Sequence, residues 1–228
     1  LPVLMRYARD NDVEVTKASL RALRPLVALS EVPELISIFK KAKDDSQNLA
    51  LNALVSACKR SDPPEKAGKQ VFAELEKLDD WDAREPWKRV LVAMGYLPAL
   101  PVIEQGLLER DSGKVQSTIR LLSQWPGPEP IDALIKTGRA PSYAKVVLRS
   151  VFSLLALSKD NEKRAVWLEQ IQPWVSSDQE KRQLISLAIE TYDHRSLALL
   201  EKYSADSNSE IAEEARTGAG RLKHNMRW

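Results

Sequence analysis

The feature that most constrains the fold is a short apolar motif that recurs along the whole chain. Each copy places two apolar or small residues three positions apart, and successive copies begin 28 to 40 residues apart. Self-similarity at this period is typical of repeat proteins, whose stacked units bury one another's apolar faces. The copies are Leu20–Leu23, Leu51–Leu54, Leu91–Met94, Ile119–Leu122, Leu148–Val151, Ile185–Ala188 and Ala215–Gly218.

The spacing of the other apolar residues predicts that every repeat is helical. Apolar side chains recur every three or four positions, and no stretch alternates as a β-strand does. Clusters of Asp, Ser and Pro, such as Asp10–Asp12, Ser61–Pro64 and Ser176–Asp178, interrupt this pattern where helices are expected to begin. With 43% hydrophobic residues and only 8 Gly, the chain is expected to fold as an all-α protein and not to be disordered.

A second series of apolar segments lies between the motifs and supplies the first helix of each pair. Together the two series predict about seven antiparallel helix pairs. The segments of this second series are Pro33–Ile36, Val71–Leu75, Leu100–Ile103, Ile131–Ile135, Trp167–Ile171 and Leu197–Leu200.

The layout resembles the HEAT and armadillo-like repeat family over nearly the whole chain. Its variable period argues against ankyrin and tetratricopeptide arrays, whose periods are stricter. The resemblance implies a right-handed α-solenoid, with residues 1–228 as a single repeat domain.

The C-terminal half is similar to the HEAT arrays of large multidomain exported bacterial proteins. Those arrays are often joined to a β-propeller, cytochrome c or sugar-hydrolase-like domain. The resemblance implies a non-catalytic connecting or docking module in a periplasmic or secreted parent. The segments that carry it are Leu121–Pro126, Pro130–Ile135, Val147–Leu155, Asp178–Arg182, His194–Leu200 and Ile211–Ala215.

The two ends of the chain suggest a fragment of a longer protein. Leu1 opens directly on a helical pattern without an initiator Met or a polar cap, so we expect an exposed apolar edge or a packing neighbour there. Trp228 is expected to lead into a following segment. No apolar run approaches the roughly 18–20 residues that span a bilayer, so no membrane insertion is predicted.

Residues that carry chemistry are scarce. One Cys and two His exclude a disulfide framework, a four-ligand zinc finger and an iron–sulfur cluster. Cys58 lies in an apolar helical stripe, which favours core packing over a reactive thiol. Walker, Gly-x-Ser-x-Gly and Cys-x-x-Cys-His motifs are absent. We therefore predict no catalytic residue, no cofactor and no metal, and hence no enzyme.

Two short motifs have structural interpretations that are favoured over functional ones. Gly218-Ala-Gly220 lies in the last predicted helix, where close helix packing is favoured over phosphate binding. Asp79-Asp80-Trp81-Asp82 is interpreted as an interhelical loop with an Asp cap, because a calcium loop needs a longer series of ligands.

The tryptophans are interpreted mainly as packing residues. Trp125 precedes Pro126 and is expected to pack at a helix end, with ligand stacking as the alternative. Trp167 and Trp174 are seven apart, as expected for one buried helix face. Trp81 and Trp87 are expected to be core or staple residues, although an aromatic contact site remains open for them.

Charges around the motifs predict a binding surface. If the motif faces the core, the residue three positions before its first residue and the residue one position after it both point outward. These two residues lie one helical turn apart and share a face. Of those fourteen positions eight are basic and none is acidic, although the net charge is only +2. The HEAT resemblance implies that this surface is concave. We name the following set the basic ridge, with Trp87 as its aromatic contact: Lys17, Arg21, Trp87, Lys88, Arg120, Lys145, Arg149, Arg182 and Arg216.

Several hypotheses fit this ridge. The leading one is a scaffold that binds an acidic protein surface or a neighbouring domain. The alternatives are an ordinary solvated face, a nucleic-acid channel resembling HEAT-like DNA glycosylases, and an accessory domain of an exported sugar-active or redox enzyme. The acids are expected on the first helices, for example at Glu74–Glu76 and Glu104–Asp111. The glycosylase alternative lacks that family's Trp-Trp-Asp pattern.

Overall fold

A computed structural model describes residues 1–226, which form fourteen α-helices and no strand. Helix accounts for 76% of the residues, which confirms the prediction of an all-α protein. Trp228, expected to lead into a following segment, lies outside the described residues.

The chain divides into two compact units, Leu1–Ile103 and Glu104–Trp228. A single repeat domain over residues 1–228 stays a prediction. The first unit contains α1 (Pro2–Tyr7), α2 (Val13–Leu23), α3 (Val32–Lys41), α4 (Asp44–Arg60), α5 (Pro64–Leu75), α6 (Trp81–Met94) and most of α7 (Leu100–Glu104). The second contains α8 (Ser112–Leu122), α9 (Ile131–Gly138), α10 (Pro141–Leu155), α11 (Asn161–Ile171), α12 (Asp178–Ile189), α13 (His194–Tyr203) and α14 (Ser209–Asn225).

The interrupting polar clusters start helices as predicted. Asp12, Asp80 and Asp111 precede α2, α6 and α8, and each carboxylate accepts a backbone N–H of the first turn. Such caps satisfy N–H groups that have no partner within the helix. Ser177 caps α12 in the same way, and Glu180 reaches back to complete a capping box.

The recurring motif lies on the even-numbered helices, which we call the motif helices. Of its fourteen end positions thirteen are buried, and Met94 is half-buried. The odd-numbered helices also contain buried apolar side chains, such as Phe39 on α3 and Leu168 on α11. The motif therefore faces the core, as the sequence predicts.

Within each unit, motif helices pack against motif helices and odd-numbered helices against odd-numbered ones. In the first unit α2 contacts α4, α4 contacts α6, and α3 contacts α5. In the second unit α8 contacts α10, α10 contacts α12, α12 contacts α14, and α11 contacts both α9 and α13. Consecutive helices also pack together, as α3 does with α4 and α9 with α10.

Some apolar side chains remain at the surface of α1. Leu1, Val3 and Tyr7 are all exposed. Among the described residues, no helix combines the length and apolar character needed to cross a bilayer.

Candidate binding surface

The basic ridge is accessible only in part. Arg21, Arg120, Lys145, Arg149 and Arg216 are exposed. Lys17 and Arg182 are half-buried, whereas Trp87 and Lys88 are buried. Five ridge residues are therefore fully accessible to a partner, two are partly accessible, and two are not accessible.

The structure corrects the expectation that Trp87 and Lys88 face outward. Trp87 is 5% exposed, and its ring meets the Phe39 ring edge to face with the centroids 4.8 Å apart. Lys88 is 3% exposed, and its ammonium lies 3.5 Å from the centroid of the Trp81 ring. A lysine can bury its aliphatic stem while an aromatic face stabilises its charge. Both residues belong to the packing of the first unit, and neither can act as a surface contact.

In the first unit, the remaining ridge residues are Lys17 and Arg21 on α2. The Lys17 ammonium lies 3.3 Å from a Glu14 carboxylate oxygen and 3.5 Å from Asp45 at the start of α4. The hydrogen bond to Glu14, supported by Asp45, raises the pKa of Lys17. Arg21, one turn further along, is exposed and has no hydrogen bond or ion pair with the described residues.

In the second unit, Lys145 on α10 is bound by the first turn of α12. Its ammonium lies 2.8 and 2.9 Å from the two Glu180 carboxylate oxygens and 2.6 Å from Ser176 Oγ. Glu180 also accepts the backbone N–H groups of Ser176 and Ser177. Burial acts to raise the pKa of Glu180, but these hydrogen bonds outweigh burial and hold it at about 2. Lys145 therefore joins two neighbouring motif helices.

Arg182 and Arg216 are also paired with acids. Arg182 on α12 donates to Glu210 at 2.5 Å and to Glu214 at 3.3 Å, both on α14. Arg216 donates to Glu213 of its own helix at 2.7 Å. These pairs neutralise the ridge charges of α12 and α14 locally, since exposed ion pairs leave little net field at their surface.

Arg120 on α8 and Arg149 on α10 differ from these paired cations. Both are exposed, and neither guanidinium has a hydrogen bond or an ion pair with any residue in 1–226. Their backbone carbonyls are occupied, because Ser123 Oγ donates to the Arg120 carbonyl and Ser153 Oγ donates to the Arg149 carbonyl. Among the described residues, these two side chains are therefore the ridge charges of the second unit that are both exposed and unpaired.

The acids that pair with the ridge cations lie on the motif helices themselves, whereas acids were expected on the odd-numbered helices. Glu180, Glu210 and Glu214 occupy the first or second turn of their helices. They fall outside the two positions per repeat from which the ridge was predicted. The capping-box pattern that joins Ser177 to Glu180 was the signal that could have revealed the most important of them.

The other candidates for chemistry have structural roles. Cys58 is completely buried, and burial raises the pKa of its thiol to about 12. Asp80 caps α6 and accepts the Ala83 N–H at 2.8 Å, as predicted. Gly218 is buried against Ile189, as expected for close packing. Within residues 1–226, no three His, Cys, Asp or Glu residues are grouped so that they could hold a metal ion.

Three tryptophans of the second unit contribute to packing. Trp125 is 2% exposed and Trp167 is 6% exposed. Trp167 Nε1 donates to Asp132 at 2.7 Å. Trp174 does not share a helix face with Trp167, because α11 ends at Ile171 and Trp174 lies in the following 3-10 turn. Its ring instead lies against Gly138.

One carboxyl group outside the ridge has a raised pKa. Burial of Glu104, together with the negative charge of Asp132, raises the pKa of Glu104. These two acids and the indole of Trp167 belong to odd-numbered helices, so this group is separate from the ridge.

Each unit contains a cavity lined largely by charged side chains. The cavity in the first unit has a volume of about 630 Å³ and lies between the α1–α2 loop and the start of α4. The cavity in the second unit has a volume of about 530 Å³ and lies against α14. Glu210, Glu213 and Glu214 line the second cavity, so the motif-helix surface is acidic at α14.

Comparisons with known proteins give no family for this chain. No family model matches it, and no curated protein matches it. Among solved structures, the crystal structure of an engineered protein is similar over 97% of this chain and 96% of that chain. The two share 18% sequence identity with a TM-score of 0.35, and this likeness carries no argument about function.

Proposed function

We propose that this chain is a non-catalytic, HEAT-like scaffold that binds an acidic protein surface through basic side chains on its motif helices. In this proposal the helices stack as pairs into a right-handed α-solenoid. The partner is another protein or a neighbouring domain of a longer parent. Its location outside the cytoplasm stays a prediction from the resemblance.

The packing of the helices supports the proposed stacking. In each unit the motif helices contact one another in sequence, and the odd-numbered helices form a second contacting row. This two-row arrangement is expected when each helix pair buries its apolar face only against its neighbours.

The observation that carries the binding proposal is the distribution of unpaired arginines. Lys17, Lys145, Arg182 and Arg216 have carboxylate partners in the chain. Arg21, Arg120 and Arg149 are exposed without such partners. Unpaired guanidinium groups on packed helices provide fixed hydrogen-bond donors to an anionic surface.

The non-catalytic part of the proposal is supported by the roles of the candidate reactive residues. Cys58 is buried with a pKa raised to about 12, which suppresses the reactive thiolate. Asp80 caps a helix, and Gly218 packs against Ile189. A role of this chain as an accessory domain beside an enzyme domain is compatible with this proposal.

A nucleic-acid channel is less well supported. Trp87, its proposed aromatic contact, is buried against Phe39 and is not available to stack on a base. Three unpaired arginines would also neutralise few phosphates, whereas nucleic-acid binding normally engages many.

Charge reversal tests the proposed surface. The variant Arg21→Glu/Arg120→Glu/Arg149→Glu is compared with Lys59→Glu/Lys69→Glu/Arg139→Glu, which changes net charge equally at exposed positions off the ridge. The probe is a fluorescein-labelled peptide of eight Glu residues, followed by fluorescence anisotropy at low and at physiological salt. Circular dichroism verifies that both variants are folded.

The expected result is saturable, salt-sensitive binding to the wild-type chain that the ridge variant loses and the control variant largely keeps. If the wild-type chain does not bind the acidic peptide, the proposal is wrong. If both variants lose binding equally, only net charge matters and the ridge is not the binding surface.

A further inference from the structure

Two neighbouring motif helices of the second unit carry basic residues and no acid. α8 and α10 carry Lys114, Arg120, Lys145 and Arg149 and no Asp or Glu, although the whole chain has 32 acids to 34 bases. The following motif helices differ: α12 has Asp178 and Glu180, and α14 has three Glu residues.

The geometry brings Arg120 and Arg149 together on this acid-free surface. Each follows the first residue of its motif, Ile119 in α8 and Leu148 in α10, and both of those residues are completely buried. The two helices pack against each other. Equivalent positions on adjacent packed helices lie about one helix spacing apart, roughly 8–10 Å. At this helix spacing the two arginine side chains are both within reach of one short peptide segment.

We infer that Arg120 and Arg149 form a two-arginine site that binds a pair of carboxylates in an acidic peptide segment. This inference rests on the proposed function and narrows it to one place and one ligand chemistry. A guanidinium matches a carboxylate with two parallel hydrogen bonds, and two of them favour a segment with at least two acids.

The surroundings favour a short acidic peptide over a nucleic acid. Glu180, next to the site, and the three glutamates of α14 lie on the motif helices that follow. Because these carboxylates are paired with Lys145, Arg182 and Arg216, the unpaired ridge arginines of this unit are confined to α8 and α10, which suits a short acidic segment better than a continuous phosphate backbone. Of the aromatic residues beside or within these helices, Trp125 and Phe152 are each 2% exposed, and Tyr143 in the first turn of α10 is half-buried, so an extended stacking surface for bases is lacking among them.

The polar groups around the site favour arginine-specific recognition over general charge attraction. Ser123 and Ser153 donate their hydroxyl protons to the backbone carbonyls of the two arginines, and among the described residues neither hydroxyl oxygen accepts from a guanidinium. The nearby ammonium of Lys145 is already bound by Glu180 and Ser176. The unpaired donors at this place are therefore those of the two guanidinium groups.

The experiment uses the full chain and the same labelled peptide of eight Glu residues. The variants are Arg120→Gln/Arg149→Gln, Arg120→Lys/Arg149→Lys and, as the matched control, Arg110→Gln/Arg139→Gln, which removes two exposed arginines of the same unit that lie off the ridge. Affinity is measured by anisotropy at fixed salt, and an unlabelled ten-nucleotide oligothymidylate serves as competitor.

We expect Arg120→Gln/Arg149→Gln to bind the peptide at least about tenfold more weakly than the wild type, and Arg110→Gln/Arg139→Gln to change affinity less than about twofold. The Lys double variant keeps the charge but loses the bidentate geometry, so we expect a loss of about threefold or more. The oligothymidylate should compete only weakly.

Other outcomes overturn the inference in distinguishable ways. If Arg120→Gln/Arg149→Gln binds the peptide as the wild type does, the site is not at α8 and α10, while the proposed function stands on the other ridge residues. If Arg110→Gln/Arg139→Gln weakens binding as much as Arg120→Gln/Arg149→Gln, only net charge matters and both the inferred site and the proposed surface are wrong. If the Lys double variant binds as the wild type does, simple charge attraction replaces carboxylate recognition. If the oligothymidylate displaces the peptide efficiently, both the inferred ligand and the proposed partner class are wrong.

Discussion

Replacing Glu180 by Gln tests how neighbouring motif helices are held together. Glu180 accepts hydrogen bonds from Lys145 on α10 and from the backbone of Ser176 and Ser177 at the start of α12. Gln keeps the size of the side chain and one acceptor oxygen for the capping box. The variant Glu180→Gln therefore removes mainly the negative charge that binds Lys145.

The magnitude follows from the pKa of Glu180. A pKa of about 2 in place of 4.5 corresponds to an upper bound of about 3 kcal/mol in favour of the folded state. Because the Lys145 side chain is 54% exposed, solvent screens this interaction. We expect Glu180→Gln to lower the free energy of unfolding by about 1–2 kcal/mol at neutral pH.

The pH dependence has a definite sign. The folded-state pKa of Glu180 is lowered, so its stabilisation is present above the ordinary pKa of 4.5 and is lost as pH falls towards 2. The stability difference between wild type and variant should therefore shrink over this range. Urea unfolding at pH 7, 5, 4 and 3, followed by circular dichroism, measures this difference.

The matched control is Glu169→Gln, which neutralises an exposed glutamate of α11 that has no hydrogen bond or ion pair among the described residues. It should change stability by less than about 0.5 kcal/mol. The reasoning is refuted if Glu180→Gln is no more destabilising than this control, or if its effect does not vary between pH 7 and pH 3.

Three further predictions concern packing and burial. Gly218→Ala should destabilise the chain by about 1–3 kcal/mol in urea unfolding, because its Cβ would lie 2.5 Å from Ile189 Cγ1. Gly220→Ala should stabilise the chain by up to about 1 kcal/mol, because nothing lies within 4 Å of its Cβ. If both glycine variants lost a similar amount of stability, this packing argument would be wrong. Cys58 should react with a thiol reagent at pH 8 at least about a hundredfold more slowly in the native chain than in urea, and comparable rates would contradict its burial. Glu104→Gln should stabilise the chain by less than about 1 kcal/mol at pH 7, because the raised pKa disfavours the charged form. That gain should vanish below about pH 4, where the wild-type carboxyl is also neutral.

The sequence predicted the helices well because their signals are local. The motif positions are almost all buried, and Asp12, Asp80, Asp111 and Ser177 cap helices where polar clusters predicted a start. Periodicity and capping depend on residues within a turn or two of each other, so one sequence is enough to read them.

The accessible part of the ridge was harder to predict because it depends on neighbouring helices. Lys88 occupies an outward-facing position by spacing, but the Trp81 ring covers it. Trp87 packs against Phe39, which agrees with its interpretation as a core residue and overturns the alternative of an aromatic contact. The pairing of Lys145 with Glu180 joins residues 35 positions apart. The position of Trp174 outside the helix of Trp167 could have been predicted from the sequence. Pro173 disfavours helical backbone in the residue before it, which favours an end of that helix there.

The most direct test of the binding surface is to observe the arginine side chains themselves. In ¹⁵N-labelled protein, the Nε–Hε signals of Arg120 and Arg149 should shift in a saturable manner when the peptide of eight Glu residues is added. Those of Arg182 and Arg216, already bound to Glu210 and Glu213, should move much less. Shifts concentrated at Arg182 and Arg216, or the absence of shifts at Arg120 and Arg149 while the peptide binds, would contradict the proposed surface.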